Sequence, residues 1–523
     1  MRRSAAVLLI LIAAVTSRAD TTAPWLILDM SVPDRIQPGR TFNVALAVRN
    51  YGFPGSDAHD VVTVLEPPDG VTAEALDERC SAAGSRVSCV EASLAASSWP
   101  VHYRLTLRAP ERYEGGALRF VASTKARERS LTDAQTTREA TAMLYRTFFV
   151  TTTADDGPGS LRAAMHDVNA LCDAAPPCSI RFAVTDPAPT PWQSIRLQSP
   201  LPVLRGDELV IDGSTQQELS RDPKFAGRFI EIGGRGVIPG NGLDLELRHV
   251  VVRGLAINGF GEYGLRLASD MAFVSDNFFG TDVRGTRAVP NRRGIQITRS
   301  ACTTSFPVIE RNVISGNLRA GIFATGGCYT IRNNRLGVGA DDDRPLPNGA
   351  SGMYLDTGAN RVGVSRNVIA FNGEMGIALH PGSRHATLFE NSIWANGTQA
   401  IDIGLDGPTP SVEVGSGTLR TPEILLAYYD VRRNQTIVRV SADPLSLVQM
   451  YASDGPGMPG SGDAQRLVAL RTEAVLTVYD VAIDGDLRGQ WISANAGRTV
   501  VHPLNDLYTL HRTTEMSPAR AVE

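Results

Sequence analysis

Between Gly254 and Ile403 the chain repeats one order of apolar and polar positions: an Asn, two alternating apolar positions, a polar gap, then a small residue and another apolar pair. The copies read Asn277-Phe-Phe ending in Gly294-Ile-Gln-Ile, Asn312-Val-Ile ending in Gly321-Ile-Phe, and Asn334-Arg-Leu ending in Gly352-Met-Tyr-Leu. Asn367-Val-Ile ending in Gly376-Ile-Ala-Leu and Asn391-Ser-Ile ending in Ala400-Ile-Asp-Ile complete the set. Counted from Gly264, the small residues recur at intervals of 30, 27, 31, 24 and 24 residues. A period of that size marks a solenoid or a propeller. The short apolar alternation is strand periodicity, and no copy holds a helical stripe able to cover a leucine-rich-repeat sheet. Short strands stacked coil upon coil make a parallel β-helix, with coils about 4.8 Å apart. The Asn column suits that arrangement, since an Asn tolerates a left-handed turn and stacked amides hydrogen-bond along the axis. Ile314, Leu336, Ile369 and Ile393 are expected to stack as one internal column.

The flanks carry a different pattern. From about Asp20 to Tyr145, short alternating strands such as Thr41 to Asn50 are separated by Pro, Gly and Asp turns, as in a β-sandwich. After Pro410 the period stops, and strands at Glu423 to Val431, Thr436 to Ala442, Leu447 to Ala452 and Leu467 to Thr472 predict a second sandwich. Between the first sandwich and the repeats, Ser160 is a natural N-cap for a helix whose apolar face is Leu161, Ala164, Met165, Val168 and Leu171. Such a helix reads as the lid on the open end of the solenoid, with His166 as structural polarity.

Gly157-Pro-Gly-Ser-Leu-Arg162, Ile211-Asp-Gly-Ser-Thr-Gln216, Arg253-Gly-Leu and the twin inserts Gly280 to Asn291 and Gly337 to Asn348 resemble secreted bacterial right-handed parallel β-helix proteins of the pectin-lyase-like fold. The resemblance covers about Phe148 to Pro410. Val48-Arg-Asn50-Tyr-Gly52 and Pro67-Pro68-Asp69-Gly70-Val71 resemble the Ig-like modules of bacterial surface proteins, which are spacers or adhesive units. Thr514-Glu-Met-Ser-Pro518 resembles the end of the Ig-like domain that follows such β-helices. The fold class expected is therefore all-β, a right-handed parallel β-helix flanked by two β-sandwiches. The expected domains are a signal peptide over 1–19, an Ig-like β-sandwich over 20–147, a capped β-helix over 148–410 and a C-terminal β-sandwich over 411–523.

Met1-Arg2-Arg3 followed by the apolar run Ala5 to Val15 has signal-peptide form, with small residues at Ser17 and Ala19 where a peptidase reads. The run is too short to span a bilayer, and no later segment is a membrane span. Export makes three local disulfides reasonable, Cys80 with Cys89, Cys172 with Cys178 and Cys302 with Cys328, in a secreted or cell-surface protein. No pair has CxxC spacing, which argues against thiolate zinc. A formal net charge of −4 over 523 residues argues against nucleic acid as a partner. Only Lys125 and Lys224 are lysines, and the arginines are scattered.

Fold alone licenses no activity. Polygalacturonase-type members of the resembled fold carry a Gly-His-Gly and a later Arg-Ile-Lys; this chain has no Gly-His and no Lys after Lys224. Pectate-lyase-type members use Asp ligands for calcium and an Arg or Lys base, and the arginine content here is compatible with that. Asp341, Asp342 and Asp343 form the most acidic spot and offer oxygen ligands to calcium, or a solvated loop. No other cofactor is implied. The second residue after each small one is Arg266, Gln296, Phe323, Tyr354, Ala378 and Asp402; two further on lie Ala268, Thr298, Thr325, Asp356, His380 and Gly404. These two columns share one outer face. Arg266, Gln296, Phe323 and Tyr354 suit a sugar polymer, which stacks on rings and takes fixed hydrogen bonds. Asp356, His380 and Asp402 are candidates for catalysis, a carboxylate beside an imidazole being able to orient a base or hold a hydroxyl. The leading expectation is a protein that binds a polysaccharide or another cell-surface ligand and acts in adhesion; the alternatives are a polysaccharide lyase or glycoside hydrolase working in the groove and a structural surface spacer.

Overall fold

A small residue, an apolar pair and an Asn recur because each occupies the same place on successive coils. The structure, a computed structural model, describes residues 23–111, 116–128, 135–172, 177–219, 222, 225–298, 306–359, 361–381, 383, 386–414, 417–472, 475–501 and 508–523. The expected signal segment over 1–19 and Cys302 lie outside them. The chain divides into two compact units, Met1–Thr147 with Ala175–Ser179, and Phe148–Ala174 with Ile180–Glu523.

The first unit holds two sheets. One orders Leu26–Ser31, Thr41–Asn50, Val101–Arg108 and Thr72–Ala75; the other orders Arg35–Ile36, Thr137–Leu144, Gly116–Lys125, Ala58–Glu66, Arg86–Leu94 and Cys80–Ala83. Inward residues including Leu46, Leu65, Tyr103 and Phe120 form one core between them. Asn50 explains its own motif: its buried amide accepts from the N–H groups of Trp25 and Gly52 and donates to the carbonyls of Ser56 and Leu94. A disulfide joins Cys80 and Cys89 on neighbouring strands. Cys172, Cys178 and Cys328 are disulfide-bonded as well.

The second unit is built on a parallel β-helix with three strand faces. Met271–Ser275, Val308–Glu310, Thr330–Arg332, Val362–Ser365 and Ala386–Phe389 stack as the first. Tyr263–Leu267, Arg293–Ile297, Ile322–Ala324, Met353–Leu355, Ile377–Leu379 and Ile401–Ile403 stack as the second. The third is an eight-stranded sheet running from Gln193–Arg196 to Ser392–Trp394. Every pairing within these faces is parallel, and Ile257, Phe279, Ile314, Leu336, Ile369 and Ile393 face one another in unbroken register. The expected internal column is thus present and fully buried. The small residue is required by the same stacking: a Cβ on Gly352 would lie 2.6 Å from the Ile369 side chain and 2.8 Å from the Gly376 carbonyl.

Asparagine amides pin two of the three corners. Between the first and third faces, Asn277, Asn312, Asn334, Asn367 and Asn391 form a ladder in which each side-chain oxygen accepts both the main-chain and side-chain N–H of the preceding Asn, at 2.9–3.1 Å. Their remaining amide hydrogens go to main-chain carbonyls such as that of Val274 for Asn312. A second ladder between the third and second faces joins Asn291, Asn317, Asn348, Asn372 and Asn396. The left-handed residue at the first corner is not the Asn, as expected, but the one before it: Asp276, Arg311, Asn333, Arg366 and Glu390 have φ of 53–59°. Holding a non-Gly residue there costs on the order of 1–3 kcal/mol, so the ladder offsets strain at each step.

Both ends of the stack are closed by polar contacts. Helix Leu161–Leu171 is N-capped by Ser160 and packs on Leu204–Asp212, with Asn169 bonded to the Val203 carbonyl and the Arg205 N–H. Leu171, expected on the apolar face, is 49% exposed, because the helix ends there. Buried Arg162 ties the preceding loop down through Asp155 and the carbonyls of Ser199 and Pro200. Gln216 closes the Val184 strand edge by accepting its N–H and donating to its carbonyl. At the other end, sheets of Glu423–Asp430, Gln435–Ser441 and Val478–Asp484 and of Arg466–Thr472, Ser446–Ser453, Trp491–Val501 and Tyr508–Thr513 form a second sandwich. Its polar side chains cover the last coil: Thr513 accepts from the Leu388 N–H, Gln449 from Glu390, Asp463 from Ala395, and Glu515 from Ile403 and Thr409.

Replacing Ile369, which is 0% exposed, by Ala should destabilise the β-helix by about 2–5 kcal/mol in denaturant unfolding. A cost below about 0.5 kcal/mol would fit a solvent-facing position instead.

Candidate functional site

The second face brings the expected columns into register. Arg266 pairs with Gln296, Gln296 with Phe323, Phe323 with Tyr354, Tyr354 with Ala378 and Ala378 with Asp402. Thr325, Asp356, His380 and Gly404 follow in the second column, each donating its N–H to the preceding coil. Side chains at these positions point outward because their neighbours Ile295, Ile322, Met353 and Ile377 point in and are buried.

Along the row, chemistry changes from charged to aromatic to polar. Arg266 is engaged by Asp244 at 2.5 Å and Glu246 at 3.0 Å, and these hydrogen bonds hold its guanidinium above its ordinary pKa against the desolvation that lowers it. Phe323 and Tyr354 stack with centroids 5.6 Å apart and planes 18° apart, and the Arg293 guanidinium lies 5.1 Å from the Phe323 centroid. Desolvation, with the nearby carboxylates of Asp356 and Glu374, pushes the Tyr354 phenol up, so it stays a hydrogen-bond donor. Asp356 and His380 are joined through Thr357, whose hydroxyl lies 3.1 Å from His380 Nδ1 and donates to Asp356 Oδ1 at 3.3 Å. Arg266, Gln296, Phe323, Thr325, Tyr354, Asp356 and His380 are half-buried, while Ala378 in the same row is buried, so together they form a shallow groove floor.

Asp402 does not belong to that floor. It is 2% exposed, and it lies with Asp406 and Glu515 in a group whose ligand oxygens fall within 4.8 Å of one another. Burial pushes Glu515 up to about 7, with the Asp402 charge adding to the rise and the Thr409 and Ile403 N–H groups opposing it. Sequence reasoning missed Glu515, which no linear signal connects to the repeat.

The acidic triplet sits on the second of the twin inserts. Each insert closes as a hairpin, with bridges Thr281 to Ala288 and Val338 to Pro345, and the second stacks on the first through Ala340 N–H to the Gly285 carbonyl. Asp342 caps that turn by accepting from the Arg344 N–H and pairs with the Arg344 guanidinium, while Asp343 pairs with Arg335. Asp341 instead lines a cavity of about 480 Å³ on the third face, beside Phe225, Arg228, Phe278, Arg311 and Arg335. The Arg228 guanidinium lies 4.1 Å from the Phe278 centroid, and burial lowers its pKa. This cavity has no signature in the repeat pattern, because the loop over it, Phe225 to Phe229, precedes the repeat.

Residues 293–414 match the family model described as a right handed beta helix region, in agreement with the parallel faces above. No curated protein matches the chain. Among solved structures, the CARDB domain of the PF1109 protein from Pyrococcus furiosus is similar at 12% identity, covering 23% of this chain and 89% of that one, with a TM-score of 0.18. The cohesin module of a family 33 glycoside hydrolase from Clostridium perfringens is similar at 13% identity, covering 24% and 97%, with a TM-score of 0.18. Scores this low carry nothing about fold or function.

A double-mutant cycle on Phe323→Ala and Tyr354→Ala should return a coupling of about 0.5–1.5 kcal/mol in unfolding, the worth of a stacked pair beyond its buried area. Strict additivity would show that the two rings do not touch in solution.

Proposed function

We propose that this is an exported β-helix protein, secreted or held at the cell surface, that binds a polysaccharide along its second face and serves adhesion. The observation that carries the reading is the in-register row in which Gln296, Phe323 and Tyr354 lie beside the Asp356–Thr357–His380 hydrogen-bonded group. Extended sugar chains need a long, nearly flat floor that offers apolar ring surface and fixed polar groups together, and a coil spacing of about 4.8 Å repeats such groups along one line. Disulfides in both compact units support an oxidising destination. Among the described residues, no helix is long and apolar enough to cross a membrane. The modest net charge of −4 fits a sugar surface better than nucleic acid.

A second reading, cleavage of the bound chain by a lyase or hydrolase, is favoured by one feature. His380 Nδ1 is held by the Thr357 hydroxyl, which is in turn held by Asp356, and a ring oriented in this way could take a proton.

Both readings share one test. The purified protein is incubated with plant, algal and bacterial glycans, and binding is followed together with newly formed unsaturated or reducing ends. A ligand should emerge whose binding is abolished by the double change Asp356→Ala and His380→Ala and by Tyr354→Ala, with circular dichroism unchanged. Released ends that vanish with the double change would assign cleavage. Wild-type binding by both variants would move the site off this face, toward the cavity beside Asp341.

A further inference from the structure

Asp402 and Glu515 are two buried carboxylates brought side by side from distant parts of the chain. Asp402 stands on the last strand of the second face, Asp406 on the loop that leaves it, and Glu515 on the segment that follows strand Tyr508–Thr513 of the C-terminal sandwich. Glu515 is 0% exposed and has a clear structural duty, since its two oxygens accept the Ile403 N–H at 2.7 Å and the Thr409 N–H at 2.6 Å. The Thr409 side chain also bonds to this carboxylate, and two oxygens with about four acceptor sites still have capacity to spare. This bonding does nothing for Asp402, whose Oδ1 is buried without a hydrogen-bond partner although the residue is 2% exposed. Asp406 is exposed and brings a third carboxylate to the same point, one oxygen from each of the three lying within 4.8 Å of the others.

Like charges this close in a desolvated place require compensation, and a carboxylate can only accept. Among the described residues none of the three carboxylates has a cationic side chain paired with it. Three carboxylate oxygens from three segments, with one side open to water, suit a hard cation that takes many oxygen ligands in adaptable geometry. We propose that Asp402, Asp406 and Glu515 bind one calcium ion, which fastens the last coil of the β-helix to the C-terminal sandwich. Asp402 and Glu515 supply the inner oxygens, Asp406 closes the ion from the solvent side, and water fills the remaining positions. The ion would also screen Asp402 from Glu515, so that Glu515 keeps its two N–H partners as an ionised acceptor. The site differs in place and in role from the acidic turn at Asp341 to Asp343, whose carboxylates Asp342 and Asp343 are already paired with arginines.

The test uses the full mature chain, stripped with a chelator and then titrated with calcium chloride near neutral pH by calorimetry, with thermal unfolding followed in parallel. One saturable site per chain and a melting temperature that rises with calcium are expected. Asp406→Asn alters an exposed residue and should fold as wild type while weakening calcium by about tenfold or more, as loss of a charged ligand does. Asp402→Asn should remove both the binding and the calcium-dependent rise, whereas Asp342→Asn should keep both. Superimposable melts in chelator and in calcium with no heat of binding would overturn the proposal. Calcium binding that is unchanged in both Asp402→Asn and Asp406→Asn would overturn it equally.

Discussion

A buried amide that must find its partner on the next coil is the constraint on which the rest of this structure depends. Each ladder Asn places four hydrogen-bonding sites in the interior, and leaving one buried donor unmet costs about 1–3 kcal/mol. The arrangement that satisfies them here repeats the corner at the same place on every coil. That fixes strand register, and register in turn decides which side chains share a face. The internal Ile and Leu column and the outer row from Arg266 to Tyr354 are two consequences of one alignment. The left-handed residues ahead of each Asn show that the corner is held against a backbone preference.

A stack of coils has two ends, and an open strand edge invites association with other edges. Here the closing groups are side chains that imitate a further strand. Gln216 does this near the start and Gln449, Thr513 and Glu515 at the finish. The C-terminal sandwich is therefore a lid on the β-helix as well as a domain. Closing the edge with a carboxylate has an electrostatic consequence, because Glu515 enters beside Asp402. The outer row, which from strand periodicity alone would continue to Asp402, changes character there from an outward-facing groove to an internal junction.

Much of this was legible in the sequence because the repeat marks each coil twice, by Asn and by a small residue, and stacking converts equal spacing into contact. The row of Gln296, Phe323, Tyr354 and Ala378 could be read from the chain for that reason. The second ladder was equally written there, as Asn317 and the Asn-Gly pairs at Asn348, Asn372 and Asn396, but it falls in the gap read only as polar. The left-handed residue was misplaced because Asp276, Arg311, Asn333, Arg366 and Glu390 share no side-chain type; their conformation is imposed by the neighbour. Asp402 could not be read as buried, since its cover arrives from Glu515, far along the chain in a region with no period. Gly157 to Arg162 and Ile211 to Gln216, two of the motifs that carried the family resemblance, hold the starting end of the stack together, which is why they speak for fold rather than activity.

The dependence of the whole on the amide ladder can be measured directly by hydrogen exchange on Asn367→Ala, with mass spectrometry resolving individual coils. Asn367 accepts from the Asn334 main-chain and side-chain N–H groups and donates to Asn391. Protection should fall in the coils of Asn334 and Asn391 as well as in the mutated one, while strands Leu26–Ser31 and Thr41–Asn50 of the first compact unit exchange as in wild type. Loss of protection confined to the residues around position 367, with neighbouring coils unchanged, would contradict that dependence.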